Sequence, residues 1–417
     1  MEITNIQAKE IIDSRGIPTI SCAITLDDNS YVEASVPSGT STGKYEAIEK
    51  RDGGSRLEGQ GVLKAVDIIN NIIGPNFIGK EPNAVQMDLE MMQMDSTLEK
   101  AELGANSTLA VSMALYRAHA QLLEIDLYNF IAMVSGASTV SLPIPMINLI
   151  NGGAHADNNL DIQEYLLIPY AAQNVKTSIE SSLEVFYKLK NLLKSNCKST
   201  VFGLEGGFAA NFENNTEPFD FILQAIEGAG FEPEKFLLGI DVAASQFYDP
   251  KKELYLINSE YKNADEMIEW YATLLKQYNL YSLEDGLQQD DLAGWIKLTK
   301  TFGNKMCIVA DDIFATNPAR IAKGLEYNIG NSVIIKPNQI GTITETLQAI
   351  QLCKESGLST IASHRSGETN DTFIVDLAVG ASTNYIKCGG LSRGERVEKY
   401  NRLLEIEAEL NGLVMSE

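Results

Sequence analysis

A charged residue ends each of six short apolar runs that follow residue 235. In chain order, the runs end in Asp241, Glu284, Asp311, Lys336, the triplet His364-Arg365-Ser366, and Lys387. Neighbouring ends are 23 to 43 residues apart, which is enough for one strand and a helix that returns to the next strand. The spacing therefore predicts an α/β fold built on parallel strands.

The order of the charges indicates what such a fold could do. In a β/α barrel the carboxyl ends of the strands meet on one face, where active sites draw residues from several strands. Carboxylates are oxygen ligands that Mg²⁺ accepts, and Lys, Arg and His suit an anionic, phosphorylated substrate. A single charged residue after a strand is more often a solvated loop residue, but three acids followed by three basic ends favour a site. The pattern predicts metal-assisted proton chemistry.

The N-terminal part of the chain has a different periodicity. Alternating segments occur at Ile3–Ala8, Pro18–Leu26 and Tyr31–Val36. They predict a small antiparallel meander, and apolar residues then recur at helical spacing from Gly61 to Leu123. The small-residue stretch Ser135–Thr139 is a candidate linker. We therefore predict an α+β domain over residues 1–134 and a β/α domain over residues 141–417.

Charge and composition exclude several classes of protein. The net charge of −23 repels nucleic-acid phosphates and anionic membranes. The five cysteines are scattered and include no C-x-x-C pair, which argues against a disulfide framework or a zinc site. The N-terminus has no signal-peptide pattern, and no run of about 18 apolar residues is present. We expect a cytoplasmic protein with no nucleic-acid or membrane partner.

Motifs along nearly the whole chain resemble those of the enolase family. They are Glu10–Gly16, Ser38–Gly43, Asn151–Asn158, Gln163-Glu164, Glu205–Gly207, Ser282–Gly286, Lys336–Thr342, Ser363–Glu368 and Ile386–Gly389. The most specific are the strand-end lysine followed by Pro-Asn-Gln-Ile-Gly, and Ser-His-Arg-Ser-Gly-Glu. The resemblance implies a lyase, phosphopyruvate hydratase, which interconverts 2-phosphoglycerate and phosphoenolpyruvate in glycolysis and gluconeogenesis.

The same resemblance implies a particular fold, assembly and metal content. The fold would be a modified (β/α)8 barrel, not wholly parallel, with a capping α+β domain, and the chain would form a homodimer. Two Mg²⁺ ions are implied: Asp241, Glu284 and Asp311 would hold the first, and Ser41, in a lid loop, would bind the second as it arrives with substrate. A lysine base acting beside Mg²⁺ ions is the known scheme of this superfamily.

The resemblance also implies a role for each candidate catalytic residue. Lys336 would be the general base, its ammonium form disfavoured by Mg²⁺ and by Lys387. Glu205 would be the general acid, kept protonated beside the supporting carboxyl of Glu164, and would expel the 3-hydroxyl as water. Lys387 would pair with the substrate carboxylate. The other predicted substrate contacts are His155, Gln163, Glu164, His364, and the phosphate ligands Arg365 and Ser366.

Three points stay open at this level. Gln163 is about equally well explained as a buried amide that bridges strands, and His119 is better explained as a packing or surface residue than as a substrate contact. The chain departs from the family pattern at Thr40, Leu204, Ala210 and Gln246. Leu204 either raises the pKa of the adjacent acid by desolvation or disturbs its position. The alternatives to an enolase are a divergent relative acting on another phosphorylated or phosphono hydroxy acid, and a binding role without catalysis.

Overall fold

The structure, a computed structural model, describes residues 1–40, 42–137 and 139–410. The predicted metal ligand Ser41 and the predicted linker residue Ser138 lie outside these ranges. Among the described residues, no helix is both long and apolar enough to cross a membrane.

The N-terminal part is a three-stranded sheet covered by helices. Its elements are β1 (Ile3–Ile12), β2 (Pro18–Leu26), β3 (Tyr31–Ser35), α1 (Leu63–Ile68), α2 (Ala84–Met94), α3 (Ala105–Leu122) and α4 (Leu127–Ser135). The strands pair antiparallel in the order β1-β2-β3, as the alternating pattern predicts, and α3 packs on β2 and β3. The predicted helical stretch divides into three helices. Pro75 and Pro82, which lack an N–H donor, lie in the first break, whereas the second break, residues 95–104, contains no proline.

The C-terminal part is built on one large sheet with helices outside it. The strands are β4 (Ile144–Pro145), β5 (Ile147–Asn151), β6 (Glu164–Ile168), β7 (Leu237–Asp241), β8 (Tyr248–Asp249), β9 (Leu254–Ile257), β10 (Glu260–Lys262), β11 (Leu280–Glu284), β12 (Cys307–Ala310), β13 (Ser332–Ile335), β14 (Ser359–Ser363) and β15 (Tyr385–Lys387). The order in the large sheet is β4-β15-β14-β13-β12-β11-β7-β6-β5, and β8 to β10 form a separate small sheet.

The large sheet closes into a ring of eight strands. β4 and β5 are two pieces of one strand interrupted at Met146, whose backbone N–H still bonds to Ile386 O at 2.8 Å. This strand pairs parallel with β15 on one side and antiparallel with β6 on the other, and β6 pairs antiparallel with β7. The remaining neighbours are parallel. The predicted fold class, a modified barrel that is not wholly parallel, is confirmed.

Helices return the chain from one strand to the next. They are α5 (Val175–Ser195), α6 (Glu217–Gly228), α7 (Ala264–Gln277), α8 (Leu292–Phe302), α9 (Pro318–Tyr327), α10 (Ile343–Glu355), α11 (Phe373–Gly380) and α12 (Gly394–Glu409). Helix α7 shows why they form where they do: Asn263 caps its first turn, and Met267, Tyr271 and Leu274 recur on its buried face. Amphipathic stretches at residues 264–278 and 342–356 of the sequence predict α7 and α10 to within one residue at each end.

Buried polar contacts hold the N-terminal part over the carboxyl ends of the barrel strands. Lys100 pairs with Glu345 at 2.9 Å, and Arg117 on α3 pairs with Asp371 at 2.7 Å. The backbone N–H of Ala47 donates to Gln339 O at 2.8 Å. These contacts bring the segment after β3 across the open end of the ring, so both parts of the chain contribute to the cleft there.

Candidate active site

The carboxyl ends of the strands converge on one cleft, as the sequence pattern predicts. Register brings them together: Asp241 is paired with Glu164 on one side and with Glu284 on the other, and Lys387 is paired with Ser363. The cleft is lined by Gly39, Glu46, His155, Gln163, Glu164, Glu205, Asp241, Ala243, Gln246, Asp285, Asp311, Asp312, Lys336, Ser363, His364, Arg365, Ser366 and Lys387. All predicted site residues that the structure describes line this cleft, except Glu284. Glu284 contacts the lining residue Lys387.

Two groups of buried carboxylates lie at the bottom of the cleft. Oxygens of Glu164, Asp241 and Glu284 lie within 4.8 Å of one another, and oxygens of Asp285, Asp311 and Asp312 form a second such group. Asp311 is therefore grouped with Asp312, which follows it in the chain, and with Asp285, which follows Glu284, rather than with the other two predicted metal ligands. Burial, together with the neighbouring carboxylates, raises the pKa of Asp241 to about 7 and that of Glu284 well above its usual range.

These carboxylates fit a divalent cation. Glu284 Oε1 is buried without a hydrogen-bond partner, and Asp241 and Glu284 repel each other where little water screens them. Asp241, Glu284 and Asp311 offer the hard oxygen ligands that Mg²⁺ prefers. The second predicted ligand position, Ser41, lies outside the described residues.

Lys336 lies against Asp311 in an ion pair. The other oxygen of Asp311 accepts a hydrogen bond from Gln339 Nε2 at 2.9 Å. Burial alone would raise the pKa of Asp311, but the Lys336 ammonium holds it below its usual value. Burial alone would likewise lower the pKa of Lys336, and Asp311 instead raises it. Lys387 lowers the pKa of Lys336, as predicted, but by less than Asp311 raises it, and the effect of Mg²⁺ stays a prediction.

Lys387 lies between two carboxylates of the chain. Its Nζ is 2.7 Å from Glu284 Oε2 and also contacts Glu164. Burial opposes its charge, but these carboxylates raise its pKa well above the usual range. Lys387 is therefore a fixed cation in the cleft, as its predicted pairing with a substrate carboxylate requires.

Glu205 is held through one of its two oxygens. Oε2 lies 2.9 Å from His155 Nδ1, 3.0 Å from Asn151 Nδ2 and 3.3 Å from Asn148 Nδ2. Burial would raise the pKa of Glu205, but the neighbouring imidazoles, His155 first, hold it well below its usual range. This direction is opposite to the raised pKa predicted for the acid. The reason is that His155 and His364 favour the ionised form more than burial opposes it, although a Glu164 oxygen lies within 4.8 Å of a Glu205 oxygen.

Leu204, one of the departures from the family pattern, is held by hydrogen bonds through both its backbone N–H and its backbone carbonyl. Its N–H donates to His155 O at 2.9 Å, and its carbonyl accepts a hydrogen bond from Arg396 at 3.1 Å. Glu205 lines the cleft next to it. The loop is positioned by backbone contacts, which any side chain at this position would allow.

The predicted phosphate ligands lie beside the segment that follows β3. Arg365 donates through both terminal nitrogens to Glu46, at 2.8 and 3.2 Å, and to Asn338 Oδ1 at 3.2 Å. Ser366 Oγ accepts a hydrogen bond from Thr40 N at 2.8 Å. A chain segment from the N-terminal part thus completes this end of the cleft.

Gln163 is both a bridging amide and a cleft residue. Its Nε2 donates to Asp241 Oδ2 at 2.7 Å, and its Oε1 accepts a hydrogen bond from Gln246 Nε2 at 2.6 Å. Gln246 Oε1 in turn accepts from Ala154 N at 3.2 Å. The two amides orient a predicted metal ligand and link it to the loop that carries His155.

The three histidines divide as the sequence predicts. His155 and His364 are buried in the cleft. His119 lies on α3, where its ring packs on Phe130 with centroids 4.5 Å apart and its Nδ1 accepts a hydrogen bond from Ala84 N at 3.2 Å. It is a packing residue.

Sequence reasoning did not assign several residues in or beside the cleft. Glu46, Asp285 and Asp312 line it, and Asn148, Asn151 and Arg396 contact lining residues from behind. Asn148 and Asn151 are the polar positions of the otherwise apolar run from 147 to 151, and Asp285 and Asp312 directly follow predicted metal ligands. Those signals were readable, but pairing Glu46 with Arg365 required the contact between the two parts of the chain.

Comparison with known proteins agrees with this geometry. Residues 3–131 match the family model described as enolase, N-terminal domain, and residues 139–415 match that described as enolase, C-terminal TIM barrel domain. The chain belongs to the enolase family. The enolase of a Nitratiruptor species is 45% identical to it over 410 residues, which cover 98% of this chain and 97% of that enolase.

A second relative gives the same result. Enolase of Ehrlichia ruminantium (strain Welgevonden) is 47% identical over 414 residues, which cover 99% of this chain and 97% of that enolase. The predicted family is therefore confirmed. With membership of the enolase family come the predicted enzyme class, a lyase, and the predicted reaction, the dehydration of 2-phosphoglycerate in glycolysis.

Proposed function

We propose that this chain catalyses the reversible dehydration of 2-phosphoglycerate to phosphoenolpyruvate in the cleft at the carboxyl ends of its barrel strands. One observation carries the proposal: two lysines, eight carboxylates and the Arg365-Ser366 pair line or adjoin a single buried cleft. Such a cleft suits a substrate that bears both a carboxylate and a phosphate and must lose a proton.

Proton abstraction is assigned to Lys336. The proton lies α to a carboxylate, so its removal adds negative charge to a group that is already ionised, and positive charge must be in place to stabilise it. Mg²⁺ bound by Asp241, Glu284 and Asp311, with a second ion at Ser41, would supply that charge. Lys336 can accept the proton only as a neutral amine, so its ion pair with Asp311 must separate first.

Loss of the hydroxyl is assigned to Glu205 with Glu164. Two amide N–H groups donate to Glu205 Oε2, and His155 Nδ1 lies 2.9 Å from it, so Oε1 is the oxygen that can deliver a proton to the leaving hydroxyl once Glu205 has been protonated. Lys387 would hold the substrate carboxylate, and Arg365 and Ser366 its phosphate, the guanidinium by its fork of donors. His155, Gln163 and His364 would complete the substrate contacts.

Ultraviolet absorbance of phosphoenolpyruvate tests the proposal directly. Purified protein with 2-phosphoglycerate and Mg²⁺ is expected to form phosphoenolpyruvate, and chelation of Mg²⁺ to stop the reaction. Turnover of another phosphorylated or phosphono hydroxy acid alone would instead indicate the divergent relative. Mg²⁺ binding without turnover of either substrate would indicate a binding role.

We also propose a cytoplasmic homodimer of two-domain chains, divided between residues 134 and 141, with no nucleic-acid or membrane partner. Family membership and the net charge of −23 support this. Light scattering is expected to give about twice the chain mass of 45.7 kDa. Limited proteolysis is expected to cut first between residues 134 and 141.

A further inference from the structure

One fully buried guanidinium joins the two loops that carry the proposed acid and phosphate ligands. Arg396, on α12, has none of its surface exposed. Its Nη2 donates to Leu204 O at 3.1 Å and to Ser366 O at 2.7 Å. Its Nη1 donates to Arg365 O at 2.6 Å and lies 2.6 Å from His364 Nδ1. Arg396 touches no substrate position itself, so any role in the reaction acts through these partners.

The contact with His364 decides which ring nitrogen carries a proton. A guanidinium only donates hydrogen bonds and stays charged in proteins. At 2.6 Å, His364 Nδ1 must therefore be the acceptor, without a proton of its own. The proton of a neutral ring is then on Nε2. An imidazolium, or the other tautomer, would place two N–H groups head to head.

The surroundings of the ring agree with a neutral His364. Burial and the Arg396 charge lower the pKa of His364, against the opposing effect of Glu164 and Glu205. Gly389 packs closely against both groups, since a Cβ there would lie 3.0 Å from His364 Cε1 and 2.9 Å from Arg396 Cδ. The ring is confined between Gly389 and the guanidinium.

The Nε2 edge of the His364 ring faces Glu164 and Glu205, the two carboxyls assigned to the loss of the hydroxyl. His364 Nε2 lies 3.8 Å from Glu164 Oε1 and 3.8 Å from Glu205 Oε1. These distances exceed a direct hydrogen bond, so the N–H points toward a gap between the two oxygens. A hydroxyl oxygen in that gap would accept from Nε2–H.

We propose that Arg396 is a positioning residue that fixes His364 as the neutral Nε2–H tautomer and ties the acid loop, residues 203–207, to the phosphate loop, residues 364–367. His364 then acts only as a hydrogen-bond donor to the leaving oxygen, and Glu205 alone supplies the proton. The tie also sets the distance between the phosphate ligands and the acid. The catalytic role of Arg396 rests on the proposed function, whereas the tautomer of His364 can be measured whether or not the protein is active.

Nitrogen NMR of the histidine rings tests the tautomer. The chain has three histidines, so ¹⁵N-histidine labelling gives three ring systems, assigned by their loss in His119→Gln and His155→Gln. In the wild-type protein His364 is expected as the Nε2–H tautomer between pH 6 and 8, and as a mixture of forms in Arg396→Gln. A wild-type His364 that is Nδ1-protonated or imidazolium would overturn the inference, even if Arg396→Gln does not fold.

Kinetics test the positioning role. In Arg396→Lys, which keeps the charge but loses the fork, we expect kcat for 2-phosphoglycerate to fall by about ten- to a hundred-fold, with KM changed by less than about threefold. Arg402→Lys is the matched control, because Arg402 lies on the same helix but pairs with Asp376. An unchanged kcat in folded Arg396→Lys would overturn the positioning role. An inactive wild type with the Nε2–H tautomer would instead refute only the proposed function.

Discussion

Each lysine of the cleft is paired with carboxylates of the chain itself. Lys336 contacts Asp311, and Lys387 lies between Glu164 and Glu284. Truncating one member of such a buried pair leaves the other charge uncompensated, which is costly. A cation that binds the carboxylates and an anion that binds the lysines compensate both at once. Metal and substrate are therefore expected to favour each other's binding.

Replacing Lys336 with alanine should separate catalysis from metal binding. We expect Lys336→Ala to lower kcat by about 10²- to 10⁴-fold, the usual contribution of a general base. Mg²⁺ affinity should not weaken, because Asp311 loses a competing cation. Phosphoenolpyruvate absorbance and calorimetric Mg²⁺ titration measure the two effects. The exposed Lys300→Ala is the control, and activity of Lys336→Ala within tenfold of wild type would exclude Lys336 as the base.

Mg²⁺ should stabilise the folded chain through Asp241. A ligand that binds only the folded state at about 100 times its Kd adds about 2.7 kcal/mol of stability. In Asp241→Asn, which removes one ligand charge next to Glu284, we expect most of that gain to disappear. Urea unfolding with and without Mg²⁺, at matched ionic strength, measures it. Equal gains in Asp241→Asn and in wild type would contradict the assignment of Asp241 as a ligand.

For single residues, the sequence predicts which charged side chains end the strands of the cleft, but it does not predict the directions of their pKa shifts. Asp241, Glu284 and Lys387 each follow an apolar run in the sequence, so position alone revealed them. The pKa directions of Lys336 and Glu205 depend on which group lies nearest in space. No spacing rule gives that information.

Among the secondary structure elements, α7 illustrates what local signals determine. Asn263 accepts a hydrogen bond from Glu266 N at 3.0 Å, and Glu266 accepts one in return from Asn263 N at 2.7 Å. This capping box marks the start of the helix in the sequence. The break between α1 and α2, which contains Pro75 and Pro82, is equally local. By contrast, the antiparallel pairing of β6 depends on the whole ring, and only the family resemblance indicated it.

Removing this cap should cost a measurable part of the stability. Asn263→Ala is expected to lower the free energy of unfolding by about 1 kcal/mol, since the N–H of Glu266 loses its acceptor. Equilibrium urea unfolding followed by circular dichroism measures the change. Lys276→Ala, in the last turn of the same helix, is the control. If the two variants are equally stable, the cap contributes nothing.

For the whole molecule, a buried carboxyl joins the two parts of the chain. Asp88 on α2 accepts hydrogen bonds through Oδ2 from Ser112 Oγ at 2.8 Å and from Thr344 N, at the start of α10, at 3.0 Å. Its Oδ1 has no partner. Burial raises the pKa of Asp88 to about 7. The folded chain therefore keeps this proton where the unfolded chain has lost it.

The consequence is a specific pH dependence of stability. Between the ordinary pKa of 3.8 and the folded pKa of about 7, the folded state binds the extra proton, so the contribution of Asp88 to stability falls as pH rises. Asp88→Asn should become more stable relative to wild type from pH 4 to pH 7. Urea midpoints at pH 5 and pH 8 test this, with the exposed Asp67→Asn as control. A pH-independent difference would contradict the raised pKa.

The seam between the first and last strands of the ring has a consequence for biosynthesis. Ile144 and Pro145 find their parallel partner only in Tyr385 and Ile386. A nascent chain still lacking those residues exposes two unpaired sheet edges, which invite association with other chains. The ribosome must therefore release nearly the entire polypeptide before the enzyme can take shape, and messages truncated upstream of codon 385 should yield aggregates rather than partly active protein.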